Sequence, residues 1–281
     1  SYEEYFTNLV KAEQQGITIR SLLVTGSHLL EDLEKLSGLL GIRVSIDFAR
    51  EYESYEVDQL KWYTLKQVAE KKEEEEKLFF YDKPFFTYIF IGIQIFIFLL
   101  MELFGSSRNT LVLILFGAKY TPLILAGEWW RLITPMFLHI GLIHLTMNSF
   151  ALYYLGTAVE RIFGRFRFLL IYLFAGFWGN VASFLFSPQS ISAGASGGIF
   201  GLFGALLYFG LIHPRPFFRT MGANIITLVG INLLIGFLPG IDFAGHLGGL
   251  VGGFLAAATV SLPREKHRSR QFVAFFATLL L

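Results

Sequence analysis

Apolar positions form long runs between residues 85 and 262, separated by short polar clusters. A helix needs roughly 20 predominantly apolar residues to cross the hydrocarbon core of a bilayer. Six stretches reach or approach that length: 85–104, 142–160, 168–186, 196–212, 223–238 and 243–262. A seventh begins near Gln271 and is cut short at Leu281. Before residue 78 the pattern changes. Charge is dense there, and apolar residues recur at mixed spacing, so ITIRSLLVTG and GIRVSIDFA read as strands and SHLLEDLEKLSGLLG as an amphipathic helix closed by Gly41. The expected fold class is a polytopic α-helical membrane protein with a small soluble α/β N-terminal domain. Its expected domains are 1–77, soluble and cytoplasmic; 78–263, six membrane helices; and 264–281, the start of a truncated seventh transmembrane helix. The charged run 71–77 reads as a solvated helix face leading to the membrane.

Composition supports the membrane assignment. Apolar residues make up 54% of the chain, 31 of its 281 residues are phenylalanine, and the mean hydropathy is +0.54. A soluble domain of this length is far more polar. A net charge of +1 without a basic stripe removes the electrostatic basis for nucleic-acid binding. With no cysteine, disulfides, thiol catalysis and cysteine-ligated zinc are excluded. The chain opens on Ser1 without a methionine and closes inside FVAFFATLLL, so a fragment of something longer is expected at both ends, and the polar residues 1–77 show no signal segment.

Loop charges orient the helices, because short cytoplasmic loops are enriched in Lys and Arg. Lys77 and Lys83 precede the first stretch, and basic residues recur in RIFGRFR, HPRPFFR and REKHRSR, whereas SPQSIS and PGID carry none. The basic loops are therefore expected in the cytoplasm with the N-terminal domain. The connection 105–139 faces outward and holds only Arg108, Lys119 and Arg131 as basic residues. Within it, LVLILFGAKYTPLIL is apolar but broken by Gly, Lys and Pro, which predicts a hairpin in the interface. Trp129 and Trp130 suit interface anchoring, and Arg131 beside them requires an anionic or carbonyl partner.

Polar side chains inside spans are costly and point to function. His139, His144 and Asn148 stand at the start of the second stretch, Ser196 at the start of the fourth and His246 near the start of the sixth. His144 and Asn148 are four apart and share a helix face. In the orientation above, all of these groups lie at one level just below the outer face. A serine hydroxyl becomes a nucleophile when a base takes its proton, and histidine suits that role. Acyl transfer also needs donors for the oxyanion. The expected assignment is Ser196 as nucleophile and His246 as base, with His144, Asn148 and the Ser196 N–H at the oxyanion. Glu160 and Asp242 are not placed to complete a triad, so a dyad is expected. No cofactor or metal is called for. Glycines around Ser196 and His246 suit close helix packing, which alone is a competing explanation of the run SAGASGGIFGLFGA. The G-x-S-x-G spelled by Gly194, Ser196 and Gly198 lacks the preceding strand of a nucleophile elbow and is rejected as one. A transporter would show internal repeats and polar groups at mid-membrane, and a histidine metal site lacks a carboxylate partner.

Five separated motifs resemble the rhomboid family of intramembrane serine proteases: WWRLITPMFLH with Trp130 and Arg131; HIGLIHLTMN with His139, His144 and Asn148; YLGTAVE with Glu160; GASG with Gly194 and Ser196; and GHLGGLVGG with His246, Gly249 and Gly253. The resemblance covers about 84–263. It implies a six-helix core, a water-accessible cavity open to the outside, and cleavage of transmembrane protein substrates near the outer ends of their helices. It further implies that Trp130, Arg131, His139, Glu160, Gly194, Gly249 and Gly253 serve structure or substrate gating, and that Phe200 packs against the catalytic imidazole. The partners implied are transmembrane substrates and the lipid bilayer, with no nucleic acid, and the N-terminal domain is expected to bind a regulator or substrate. The location implied is a bacterial cell membrane. The alternative within the resemblance is a catalytically inactive relative that binds membrane clients.

Overall fold

The computed structural model describes residues 76–263, together with 66, 69, 70, 73 and 74. The strands and helix expected in the N-terminal region, and the seventh helix, lie outside these residues. The chain divides into two compact units, Ser1–Glu76 and Lys77–Leu281, and the second carries the apolar helices.

The described residues are helical, with no strand among them. Helix α1, Phe86–Leu103, begins at a residue that offers no side-chain cap. The cap comes from far along the chain. Glu160 Oε1 accepts from the N–H groups of Phe85 and Phe86, both at 2.8 Å, and Oε2 from Thr87 N–H and Oγ1 at 3.0 and 2.7 Å. A carboxylate is well placed at a helix N-terminus, where unpaired N–H groups and the macrodipole favour negative charge. This explains how Glu160 tolerates complete burial.

The outer connection folds as two short helices, α2 (Thr110–Leu115) and α3 (Thr121–Leu125), followed by 3₁₀ turns at Trp129–Leu132 and Thr134–Phe137. Asn109 caps α2 by accepting from Leu111 N–H at 2.9 Å. Next comes a continuous rod: α4 (Gly141–Ala151), a π turn (Leu152–Gly156) and α5 (Thr157–Phe163). Gly164, at φ +85°, ends it. Helix α6 spans Arg165–Phe186 and α7 spans Ser196–Ile212.

HPRPFFR is expected as a loop, but the structure makes PRPF a helical turn, α8 (Pro214–Phe217), which runs through a π turn (Phe218–Gly222) into α9 (Ala223–Ile235). Proline suits this position because the first turn of a helix needs no N–H donor. The fifth stretch therefore starts earlier than the expected 223 and ends at Ile235, before the expected 238. Helix α10, Phe243–Val260, closes the described fold.

Among the described residues, four helical segments are long and apolar enough to cross a membrane: Phe86–Leu103, Arg165–Phe186, Pro214–Ile235 and Phe243–Val260, with Ser196–Ile212 a shorter apolar helix. Helices α6, α7 and α10 pack most intimately. A Cβ on Gly253 would run into the backbone of Gly201, one on Gly249 into the Gly197 carbonyl, and one on Gly201 into Ala175 Cβ. Small residues let membrane helices approach until backbones touch, which replaces the hydrophobic drive that lipid cannot supply. Below this seam, toward the C-terminal end of α7, buried Phe168, Tyr172, Leu202, Leu206, Phe209 and Ala257 form the core.

Candidate active site

Ser196 is the first residue of α7, so its own N–H has no partner within the helix. The chain approaches it along a tethered edge. Ser192 forms an antiparallel bridge with Lys119, and Gly194 N–H donates to the Pro135 carbonyl at 2.9 Å. Gly194 sits at φ +149°, and a side chain there would meet His144 Cε1 at 2.8 Å and Nε2 at 3.0 Å. Only glycine satisfies both the backbone and the space.

His144 and Asn148 lie on α4, as their spacing predicts. Ile140 N–H donates to His144 Nδ1 at 3.3 Å. That bond makes Nδ1 the acceptor and leaves the ring proton on Nε2, one of the two ring atoms that a side chain at Gly194 would meet. Asn148 Nδ2 donates to the His144 carbonyl at 2.9 Å. His139 is fully buried and meets the His144 ring edge-on, with centroids 5.2 Å apart.

His246 lies on α10, its ring stacked on Phe200 of α7 at 4.2 Å and 16°. Its Nδ1 has no hydrogen-bonding partner among the described residues. Asp242, the N-cap of α10, is engaged elsewhere: its Oδ1 accepts from Gly245 N–H at 3.0 Å and its Oδ2 from the Ser192 hydroxyl. A cavity of about 1020 Å³ is lined by Ser196, His144, Asn148 and His246 together, with Gly194 and Phe200 in its wall.

The residues 126–263 match the family model of the Rhomboid domain. GluP of Bacillus subtilis (strain 168), named a rhomboid protease, is 48% identical over 257 residues, which cover 90% of this chain and 50% of GluP. The Bacillus subtilis protein YdcA is 40% identical over 143 residues, covering 50% of this chain and 72% of YdcA. The chain belongs to the rhomboid family. RHOMBOID-like protein 6, mitochondrial, of Arabidopsis thaliana is 36% identical over 198 residues, covering 63% of this chain and 64% of that protein. Rhomboid membership and the apolar helices make the chain an integral membrane protein, and it spans half the length of GluP.

The rhomboid domain match begins beyond Lys119, which the sequence marks only as a charge interrupting an apolar stretch. Lys119 is fully buried, and its ammonium donates to the carbonyls of Ser187 and Ser190 at 2.6 and 2.9 Å and to Ser190 Oγ at 3.1 Å. Burial pulls its pKa down from the usual lysine range, and the Asp242 carboxylate opposes that shift. A lone lysine in an apolar stretch was the available signal. Arg131 finds the partners its sequence position demands. Its Nε and Nη2 both reach Glu128 Oε2 at 2.6 Å, and Nη1 donates to the carbonyls of Ile114 and Ala118 at 2.7 and 3.0 Å. It thus knots the outer connection together, far from Ser196 in the chain. Trp129 and Trp130 stand exposed beside it. Among the described residues no hydrogen bond joins Ser196 Oγ to His246. Catalytic hydrogen bonds are often long before substrate binds.

Proposed function

We propose that this chain is an intramembrane serine endopeptidase that cleaves transmembrane segments of other membrane proteins near the outer face, using a Ser196–His246 dyad. The observation that carries the reading is that Ser196, His246 and the His144–Asn148 pair, supplied by three helices, open on one cavity. His246 takes the proton of Ser196 Oγ as that oxygen attacks the scissile carbonyl. The oxyanion is held by His144 Nε2–H, the Asn148 amide and the Ser196 N–H, donors of the kind whose single loss costs roughly 10²–10³ in rate. His246 then passes its proton to the leaving amine, and a water entering through the cavity hydrolyses the acyl ester by the same steps in reverse order. Glycine packing at Gly249 and Gly253 brings α10 close to α7, Phe200 braces the base, and Gly194 leaves room for the His144 ring.

A helix in lipid has every backbone group paired, so the scissile bond must be unwound before attack. Substrates whose helices are locally unstable near the outer face suit such a site. The core comprises six helices, counting the rod 141–163 and Ser196–Ile212 with the four longer segments. Residues 1–77 serve as a cytoplasmic domain that binds a regulator or substrate, and 264–281 as the start of a seventh helix. The lysine and arginine distribution supports cytoplasmic placement of that domain and an active site opening outward, in a bacterial cell membrane.

The test is intact-mass measurement after incubating the detergent-solubilised chain with a fluorophosphonate, beside Ser196→Ala and His246→Ala. An adduct on the parent chain and on neither variant is expected. A folded parent chain that takes no adduct would overturn the dyad and favour an inactive, client-binding relative.

A further inference from the structure

Asp242 is the carboxylate of the cavity wall, and its two oxygens face two different elements. Oδ1 accepts from Gly245 N–H at 3.0 Å, closing the first turn of α10 immediately before His246. Oδ2 accepts from the hydroxyl of Ser192, four residues before Ser196. Ser192 is itself fixed. Its backbone exchanges hydrogen bonds with Lys119 at 2.9 and 3.2 Å, and Ser183 Oγ lies 3.0 Å from its hydroxyl. Lys119 also grips the turn just before it, through the carbonyls of Ser187 and Ser190. The segment leading into the serine is thus anchored to the outer connection, and Asp242 ties that anchored segment to the helix bearing the histidine.

The glycine seam between α7 and α10 sets how near the two helices come. A directional hydrogen bond to a charged acceptor adds an orientational restraint that the seam's non-directional contacts do not carry. We infer that Asp242 is a positioning residue that sets the register of His246 against Ser196 through Ser192, without touching substrate. The inference rests on the dyad reading. Its rival is a plain helix cap, in which only the bond to Gly245 matters.

The experiment is the second-order rate of fluorophosphonate labelling of the full, detergent-solubilised chain, with the thermal midpoint of each variant measured alongside. The small probe leaves the outer parts of the cavity empty, so a lost substrate contact does not enter. Ser192→Ala keeps the cap and removes the bridge, and its rate should fall roughly ten- to hundredfold, the scale of an ångström's misplacement. Asp242→Ala should lose the same factor, the double variant should lose no more, and Ser192→Thr, which keeps the hydroxyl, should restore the parent rate. Labelling of Ser192→Ala at the parent rate, or losses that multiply in the double variant, would overturn the inference. Should Asp242→Ala fail to fold, the Ser192→Ala and Ser192→Thr pair decides alone. A parent chain that takes no label would instead remove the dyad reading and this inference with it.

Discussion

The Phe200 ring lies flat on the His246 imidazole, with centroids 4.2 Å apart and planes 16° from parallel. Phe200 is one turn beyond Ser196, so the helix that begins with Ser196 also carries the surface that holds the His246 ring. Stacking of this kind is worth about 0.5–1.5 kcal/mol beyond area burial. Phe200→Leu keeps the apolar volume and loses the stack. Its fluorophosphonate labelling rate should drop about tenfold while its thermal midpoint stays near that of the parent, and an unchanged rate would show that the ring merely fills space.

Gly249 and Gly253 face backbone, which cannot move aside as a flexible side chain would. Gly249→Ala and Gly253→Ala should each cost roughly 1–3 kcal/mol or more, the usual penalty of overpacking. Gly230 on α9 has open space where a methyl would go, with nothing within 4 Å, and serves as the control. Gly230→Ala should be neutral within about 0.5 kcal/mol. Thermal unfolding in detergent compares the three, and equal midpoints would refute the seam.

Glu160 satisfies four donors at the start of α1. Removing it leaves the N–H groups of Phe85, Phe86 and Thr87 without their acceptor, at about 1–3 kcal/mol for each one that water cannot reach, Thr87 above all. Glu160→Ala should lower the unfolding midpoint sharply, and Glu160→Gln, which retains one carbonyl acceptor, should lose less. Equal loss in the two variants would argue that charge, not acceptor count, is what α1 requires.

Arg131 and Trp130 are adjacent in sequence but differ in environment, since the arginine is buried and the indole is 55% exposed. Arg131→Lys cannot reproduce the fork that spans Glu128 and two carbonyls, and it should destabilise the fold by roughly 1–3 kcal/mol. Trp130→Ala should leave the detergent-solubilised fold close to its parent in stability. Loss of stability in Trp130→Ala alone would reverse the assignment.

The sequence alone made the helical membrane architecture and the placement of some candidate-site residues legible. Apolar run length located the helices, and the four-residue spacing of His144 and Asn148 placed them on one face because helical periodicity is local. The demand of Arg131 for carbonyl or anionic partners could also be read, because a buried cation must be paired. Identities of distant partners could not be read. Nothing near Asp242 in the sequence announces Ser192, 50 residues away, and nothing near Lys119 announces Ser187. The π turns were hidden as well, since one extra residue in a turn leaves composition unchanged. HPRPFFR misled because its charge and prolines signal a boundary without saying on which side of it the helix begins.

The cap on α1 also has a consequence for synthesis. Glu160 follows its backbone partners by 73 to 75 residues, so when the first membrane helix leaves the ribosome its opening turn has no acceptor waiting. The carboxylate that caps that turn arrives only after the rod 141–163 has been made and brought alongside. The first helix is therefore finished by the second, and a ribosome that stalls between them would leave a membrane-inserted segment with a frayed, proteolytically vulnerable end.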